Sequence, residues 1–221
     1  MATNKDTFDR IAPAWYGFRH WPLLGQELAE VADRWQAGRL INLGCAHGPD
    51  FLPFAGRFEL DGLDFSAGML AQARTYMTKH EFLANLVQSE LTMVPFKAGA
   101  FDYAVSVAAY HHIEEHQQRQ RAFRELYRIL RPGGEAFLTV WNHLQPAFRA
   151  GPQDRLVPWQ CGGTVLYRRY HLFTPHELTG YLTEAGFEVL WTGAEKRHSG
   201  PSESARNVCV LAARPGPSQV V

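Results

Sequence analysis

The sequence predicts an α/β protein built on an open, mostly parallel, doubly wound sheet. Three features carry that reading. Short apolar runs alternate with stretches whose apolar residues recur at helical spacing, a pattern that needs helices on both faces of a sheet. The first apolar run ends in a turn of small residues, in the stretch LINLGCAHGPD from Leu40 to Asp50. The last two runs, Phe187–Thr192 and Asn207–Ala213, have only a loop between them and read as an antiparallel hairpin.

The elements follow in order. Leu24, Leu28, Val31 and Ala32 mark a helix between Trp21 and Trp35. Strands are expected at Arg39–Leu43, Glu59–Leu63 and near Leu83–Val87, with Ser66 capping a helix through Tyr76. FDYAVSVA, Phe101–Ala108, is a strongly apolar strand. Gln117–Leu130 is an amphipathic helix with Phe123, Leu126 and Leu130 on one face, stopped by Pro132-Gly133-Gly134 before a strand at Ala136–Trp141. Thr174, Pro175 and Glu177 supply a cap, a first-turn proline and a capping-box acid for a last helix that Gly186 ends. One domain over 1–214 is expected, with 1–22 as an aromatic-rich lid, 142–173 as an insertion lining the site, and 215–221 as a loose tail.

Composition narrows the function. The 221 residues are 46% hydrophobic and 20% charged, with Lys+Arg 22 against Asp+Glu 22, which disfavours broad nonspecific nucleic-acid binding. Cys45, Cys161 and Cys209 are far apart without C-x-x-C spacing, so neither a disulfide framework nor a zinc site is indicated. The start lacks a signal-peptide core and no run is long enough to span a membrane, so the expected compartment is cytoplasmic.

The chemistry concentrates at strand ends. Gly44, Ala46 and Gly48 keep the turn after the first strand small, letting backbone approach a ligand at the carboxyl edge of the sheet. Asp64, just beyond the second strand, can accept hydrogen bonds from the two hydroxyls of a ribose. Together they read as a site for an adenosine-containing cofactor, although the turn is not G-x-G-x-x-G.

The ordered set LINLGCAHG, GLDFSAGML, FDYAVSVAAYHHI and LRPGGEAFLTVW, spanning Leu40 to Trp141, resembles the class I S-adenosylmethionine-dependent methyltransferases. The resemblance implies a seven-stranded Rossmann-like sheet with its last strand antiparallel, and S-adenosyl-L-methionine as cofactor. It implies cofactor contacts at Asn42, Gly44, Ala46, Gly48, Asp64, Phe65, Met69, Ser89, Glu90 and Leu91. Two positions depart from the family: Asn42 stands where an acid is usual, and Ser89, with Glu90 adjacent, where an acid meets the adenine amino group. They motivate a rival reading as a catalytically idle cofactor-binding subunit.

A narrower resemblance rests on FDRIAPAWYGFRHWP, SVAAYHHI, LTVWN, LVPW and RRYHLFTPHEL. These segments are similar to the wobble-uridine tRNA carboxymethyl methyltransferases, which esterify the carboxylate of 5-carboxymethyluridine. The resemblance implies acceptor-site roles for Arg19, His111, His112, Arg168, Tyr170 and His171, with the tRNA anticodon loop as partner. Arg169 departs from the family's first tyrosine in that motif. A small carboxylate acceptor is the alternative, compatible with the balanced charge. A carboxylate is ionised at neutral pH, so the acceptor needs orientation rather than a general base. In an extended segment Arg168 and Tyr170 share a face, and His171 would join them only through a bend. Trp159 and Tyr170 could stack a splayed base, with core packing as the competing explanation for Trp159. The resemblance also implies a small zinc-binding activator subunit, for which apolar Phe82–Phe96 would be the covered surface.

Overall fold

The computed structural model describes residues 2–196 and 204–216; of the expected tail, 217–221 lie outside the described residues. Helices α1 (Asn4–Phe18) and α2 (Gly25–Trp35) precede strand β1 (Gly38–Leu43). After a three-ten turn at Pro49–Phe54 come β2 (Phe58–Asp64), α3 (Ala67–Lys79), β3 (Asn85–Gln88) and β4 (Phe101–Val107). Helix α4 (His116–Ile129) leads to β5 (Leu130–Trp141), then β6 (Asp154–Cys161), β7 (Thr164–His171), α5 (Pro175–Ala185), β8 (Glu188–Ala194) and β9 (Asn207–Ala213). Among the described residues seven strands form one sheet in the order β3-β2-β1-β4-β5-β9-β8, and β6 pairs with β7 in a separate antiparallel ribbon. Strands β1 to β5 run parallel and β9 is antiparallel to both its neighbours, as the sequence predicts.

Side-chain alternation builds a core on each face of this sheet. Ile41 and Leu43 join Phe123, Leu126, Ile129 and Leu182 of α4 and α5 on one side. Leu40 joins Leu28, Trp35 and Phe51 on the other. Helix starts form as their caps predict: the Ser66 hydroxyl accepts from Met69 N–H, and the Thr174 hydroxyl from Glu177 N–H. Gly186 ends α5 in the left-handed conformation at φ +104.

Two expected features take definite form. The lid is a 15-residue helix, α1, and a Thr3–Asp6 capping box starts it. The Asp9 carboxylate of α1 accepts from the Ser66 hydroxyl at 2.6 Å and Gly68 N–H at 2.9 Å, which fixes the lid to the start of α3. The insertion is the β6–β7 hairpin, held to α1 by Asn4, whose amide bonds the backbone of Arg169 in both directions.

Two expectations are corrected. The apolar stretch Phe82–Phe96 is largely covered by its own fold: Phe82 and Val94 are buried, and Leu86, Leu91 and Phe96 pack against the cores. Leu83 and Met93 stay exposed, at 89% and 64%, so the surface that motivated an activator shrinks to two side chains. His171 does not reach the site. Alternation in β7 turns it to the opposite face from Arg168 and Tyr170, where Nδ1 meets Asp154 at 2.7 Å and Nε2 meets Glu177 at 2.7 Å. Glu177 therefore spends its side chain on the hairpin rather than on the helix cap.

His171 thus ties the hairpin to α5. His171→Ala should lower unfolding stability by about 1–3 kcal/mol, since it leaves half-buried Glu177 with one partner fewer. Urea titration measures this; unchanged stability would return His171 to the candidates for acceptor binding.

Candidate functional site

A cavity of about 960 Å³ opens at the carboxyl ends of the parallel strands. Gly44 follows β1, Asp64 ends β2, Ala108 follows β4 and Trp141 ends β5, and all four line it. The Gly44 turn is tight for a stated reason. Its φ is +76, and a Cβ there would lie 2.3 Å from the Cβ of Ala109 on the neighbouring strand exit. Ala46 adopts φ +48, unusual for a residue with a side chain, and its N–H donates to Asp64 at 2.8 Å.

One half of the cavity has the chemistry of an adenosine site. The Asp64 carboxylate accepts from Ala46 and Ser66 N–H, the latter at 2.9 Å, which leaves lone pairs for two further donors. Burial pushes its carboxyl up to about 6, against those two N–H groups. Phe65 and Leu91 add apolar surface, and Glu90 is the exposed acid at the far end. The Ser89 hydroxyl donates to the Met93 carbonyl at 2.7 Å, so its proton is committed, and Glu90 beside it is the only one of the two that offers a charged acceptor. These residues fit S-adenosylmethionine: Asp64 would hold the ribose, Phe65 and Leu91 would offer apolar surface to the adenine, and the Gly44–Ala46 turn would take the amino-acid part.

Three of the expected cofactor residues lie outside the cavity. Asn42 shares a strand face with Leu40 and is fully enclosed, with neither side-chain polar atom hydrogen-bonded. The missing acid at that position therefore costs the cavity no charge. Gly48 allows the turn, at φ +91, and meets Phe51 rather than open space. Met69 packs beneath α1 with Phe8 and Ile11.

The other half is made by the lid, the hairpin and the exit of β4. Arg168 is 5% exposed, and its guanidinium sits over the rings of Trp15, Trp159 and Tyr170 at 5.5, 5.1 and 5.2 Å. It has no carboxylate partner among the described residues; one long bond, 3.4 Å, reaches the Pro158 carbonyl, and its Nε is unpartnered. Tyr170 contacts both His111 and His112 with ring centroids 4.6 Å apart. The Trp141 N–H donates to His111 Nδ1 at 3.3 Å, which puts the proton of the neutral ring on Nε2. Burial drives His111 well below the ordinary histidine range, helped by His112, Arg168, Arg206 and Arg19; His112 falls to about 3 for the same first reason. Both rings are neutral at physiological pH.

Arg19 lines the cavity, yet its charge is already committed. One guanidinium nitrogen donates to both oxygens of buried Asp50, at 2.9 and 3.2 Å, and His47 bonds its carbonyl. Asn142, which follows β5 at the same edge, turns its side chain to the Ala205 carbonyl and Leu144 N–H. Trp159 serves packing first, meeting Trp15 and Phe18 with centroids 5.0 Å away, while still lining the cavity.

The sequence reading missed Arg206. It lines the cavity with its guanidinium 4.8 Å over the Trp141 ring. The only signal was positional, since β9 begins at Asn207 directly opposite Trp141.

Residues 40–134 match the family model described as a methyltransferase domain. A protein of Encephalitozoon cuniculi named as a methyltransferase is 30% identical over 185 residues, covering 80% of this chain and 82% of that one. The tRNA (carboxymethyluridine(34)-5-O)-methyltransferase of Saccharomyces cerevisiae is 30% identical over 159 residues, covering 69% of this chain and 54% of that one. Among solved structures, the CcbJ methyltransferase of Streptomyces caelestis superposes with a TM-score of 0.78 at 17% identity, over 97% of this chain and 100% of that one. A Burkholderia thailandensis N-methyltransferase solved with S-adenosylhomocysteine gives 0.67 at 15% identity, over 97% and 92%. These matches lend no support to a zinc-binding activator. No helix among the described residues is long and apolar enough to cross a membrane.

The raised Asp64 carboxyl makes a signed prediction. Its folded value of about 6 lies above the reference of about 3.9, so this group adds stability to the unliganded protein as pH falls from above 6 towards 4. A ligand that needs the carboxylate binds less tightly over the same fall. Calorimetric affinity for S-adenosylhomocysteine should drop up to about tenfold per unit below that value. Asp64→Asn should remove the pH dependence and cost about tenfold to hundredfold near pH 7. A flat wild-type profile excludes Asp64 as the ribose acceptor.

Proposed function

This chain belongs to the S-adenosylmethionine-dependent methyltransferases, and from that premise we propose that it methylates the carboxylate of a carboxymethylated tRNA wobble uridine. The single observation carrying the acceptor's chemistry is Arg168: a buried guanidinium facing the cavity without a carboxylate of its own. An anionic acceptor supplies that counter-charge. The 30% identity to a tRNA carboxymethyluridine methyltransferase supports the nucleotide context.

The cofactor supplies a sulfonium-bound methyl group, which carries most of the chemical difficulty. The chain's residues bind, orient and exclude water. A carboxylate nucleophile arrives ionised, so no residue has to remove a proton. Arg168 holds one carboxylate oxygen, and the Nε2–H of neutral His111 and the Tyr170 hydroxyl are the uncharged donors beside it. Burial keeps the Tyr170 phenol protonated, pushed up to about 12. Trp15 and Trp159, in ring contact over Arg168, form the apolar roof that keeps water from the reacting centre. The idle-subunit reading loses its ground, because Asn42 does not line the cavity and Glu90 does. A small carboxylate acceptor is the second reading, favoured by the balanced charge of the chain.

Labelled methyl transfer to tRNA carrying 5-carboxymethyluridine tests the proposal, with a free small carboxylic acid as the competing acceptor. Arg168→Ala, His111→Ala and Tyr170→Phe should each lower turnover by about tenfold to hundredfold while S-adenosylhomocysteine affinity stays within about twofold. Parallel loss of cofactor affinity would move these residues into the cofactor half.

The pH profile provides an independent check. With both histidines held far below 6.5, kcat should show no histidine limb between about pH 5 and 8 and should fall only as the acceptor carboxylate protonates near about 4. A limb near 6.5 that disappears in His111→Gln would make His111 a titrating participant instead.

A further inference from the structure

One wall of the acceptor half carries two guanidiniums, while Glu114, paired with Arg169, and Glu115 line the cavity beside the histidines. Arg206 lies on the Trp141 ring, Trp141 meets Tyr170 edge-on with centroids 4.8 Å apart, and Arg168 lies over the other side of that contact on Tyr170. These four side chains form one continuous wall of the cavity. Among the described residues neither guanidinium has a carboxylate partner. Glu195, the nearest acid in sequence among the described residues, is engaged by the backbone N–H groups of Arg206 and Asn207, at 3.2 and 2.7 Å. The Arg206 carbonyl accepts from Asn142 N–H at 2.9 Å and from Gln145 at 3.3 Å, so its main chain is pinned from both sides. A backbone fixed that firmly, carrying an arginine stacked at the rim, is a built anion contact rather than a free surface chain.

We infer that Arg168 and Arg206 together form a two-guanidinium site that takes a phosphate of the acceptor in addition to its carboxylate. Buried Arg168 holds the carboxylate, and rim-placed Arg206 takes the phosphate, whose tetrahedral oxygens match its planar fork. Assigning that phosphate to a nucleotide rests on the function proposed above; the presence of a phosphate site does not. The pairing explains how a chain with balanced total charge can select a nucleotide, since the selection is local. It also separates a nucleotide from a simple carboxylic acid, which would satisfy Arg168 and leave Arg206 unused.

The test uses inorganic phosphate as probe and acetate as singly charged control, at matched ionic strength near pH 7.5, read by calorimetry on the full chain. Wild type should bind phosphate at least about tenfold more tightly than acetate. That ratio should collapse towards one in Arg206→Ala and be partly restored in Arg206→Lys, with S-adenosylhomocysteine binding showing that each variant is folded. No preference in wild type, or an undiminished preference in Arg206→Ala, overturns the inference. A second arm compares KM for 5-carboxymethyluridine, its monophosphate and an anticodon stem-loop. A gain from the first phosphate that Arg206→Ala abolishes supports the site with a mononucleotide as sufficient source. A gain seen only with the stem-loop, together with a salt slope reduced by about 1 in the variant, supports it with the polynucleotide backbone as source. If no acceptor is methylated, the proposed function fails, while the phosphate-to-acetate ratio still decides this inference.

Discussion

The acceptor half of this protein depends on keeping one guanidinium buried without an acid. Removing an ion from water costs several kcal/mol even after relaxation. A salt bridge would recover that cost and would also cancel the charge. Here the Arg168 guanidinium is held by three aromatic faces, each contributing on the order of 0.5–2 kcal/mol. Aromatic faces hold a cation without neutralising it. Three rings from three places are needed, and that requirement explains the additions to the sheet: Trp15 comes from α1, Trp159 from β6 and Tyr170 from β7. The N-terminal helix and the insertion therefore form one structural unit around Arg168, although some 140 residues of chain separate them by number alone.

The cofactor half follows a different rule. Its parts are the exits of parallel strands, where backbone geometry does the work and side chains are few. Asp64 is held by two N–H groups that bring its carboxylate into a buried position, and burial raises its carboxyl above the usual range. The two halves are joined by polar contacts from the lid. Asp9 bonds the start of α3 directly beyond Asp64 and Phe65, and Arg19 pairs with Asp50 just after the glycine turn. The middle of α1 and the residue just past its C-terminus are thus tied to loops of the cofactor half, while its last turn carries Trp15 to Arg168. Arg19, expected by resemblance at the acceptor, braces the lid through Asp50 while still lining the cavity.

What was legible in the sequence was whatever depends on period and on local conformation. The strand ends, the Ser66 and Thr174 caps, the Gly44 turn, Asp64, and the shared face of Arg168 and Tyr170 all follow from spacing of a few residues. The same alternation that placed Arg168 and Tyr170 together warned that His171 would turn away, and its two carboxylate partners are what turned it into a tie. Asn42, implied by the resemblance, does not line the cavity, because the end of a strand presents only one face to it. Arg206 was invisible for another reason. Its position depends on the register of β9 against β5 across more than sixty residues, and no local pattern encodes a register at that distance.

Register also explains why the antiparallel strand matters for the chemistry. In an all-parallel sheet every strand delivers its carboxyl end to the ligand edge, so each contributes the residue that follows it. Strand β9 runs the other way and delivers the residue that precedes it, which here is Arg206. A reversed last strand thus brings a second cation to the same edge as Trp141 without another crossover helix. The shared core carries the half of the cavity whose residues fit the methyl donor. In the proposed function the acceptor would be chosen by three pieces added around that core, the lid, the hairpin and the start of β9, and each supplies or supports one positive or aromatic group. Selectivity in this fold is therefore carried by a small number of side chains, and a chain of balanced net charge can still present a strongly cationic wall to its acceptor.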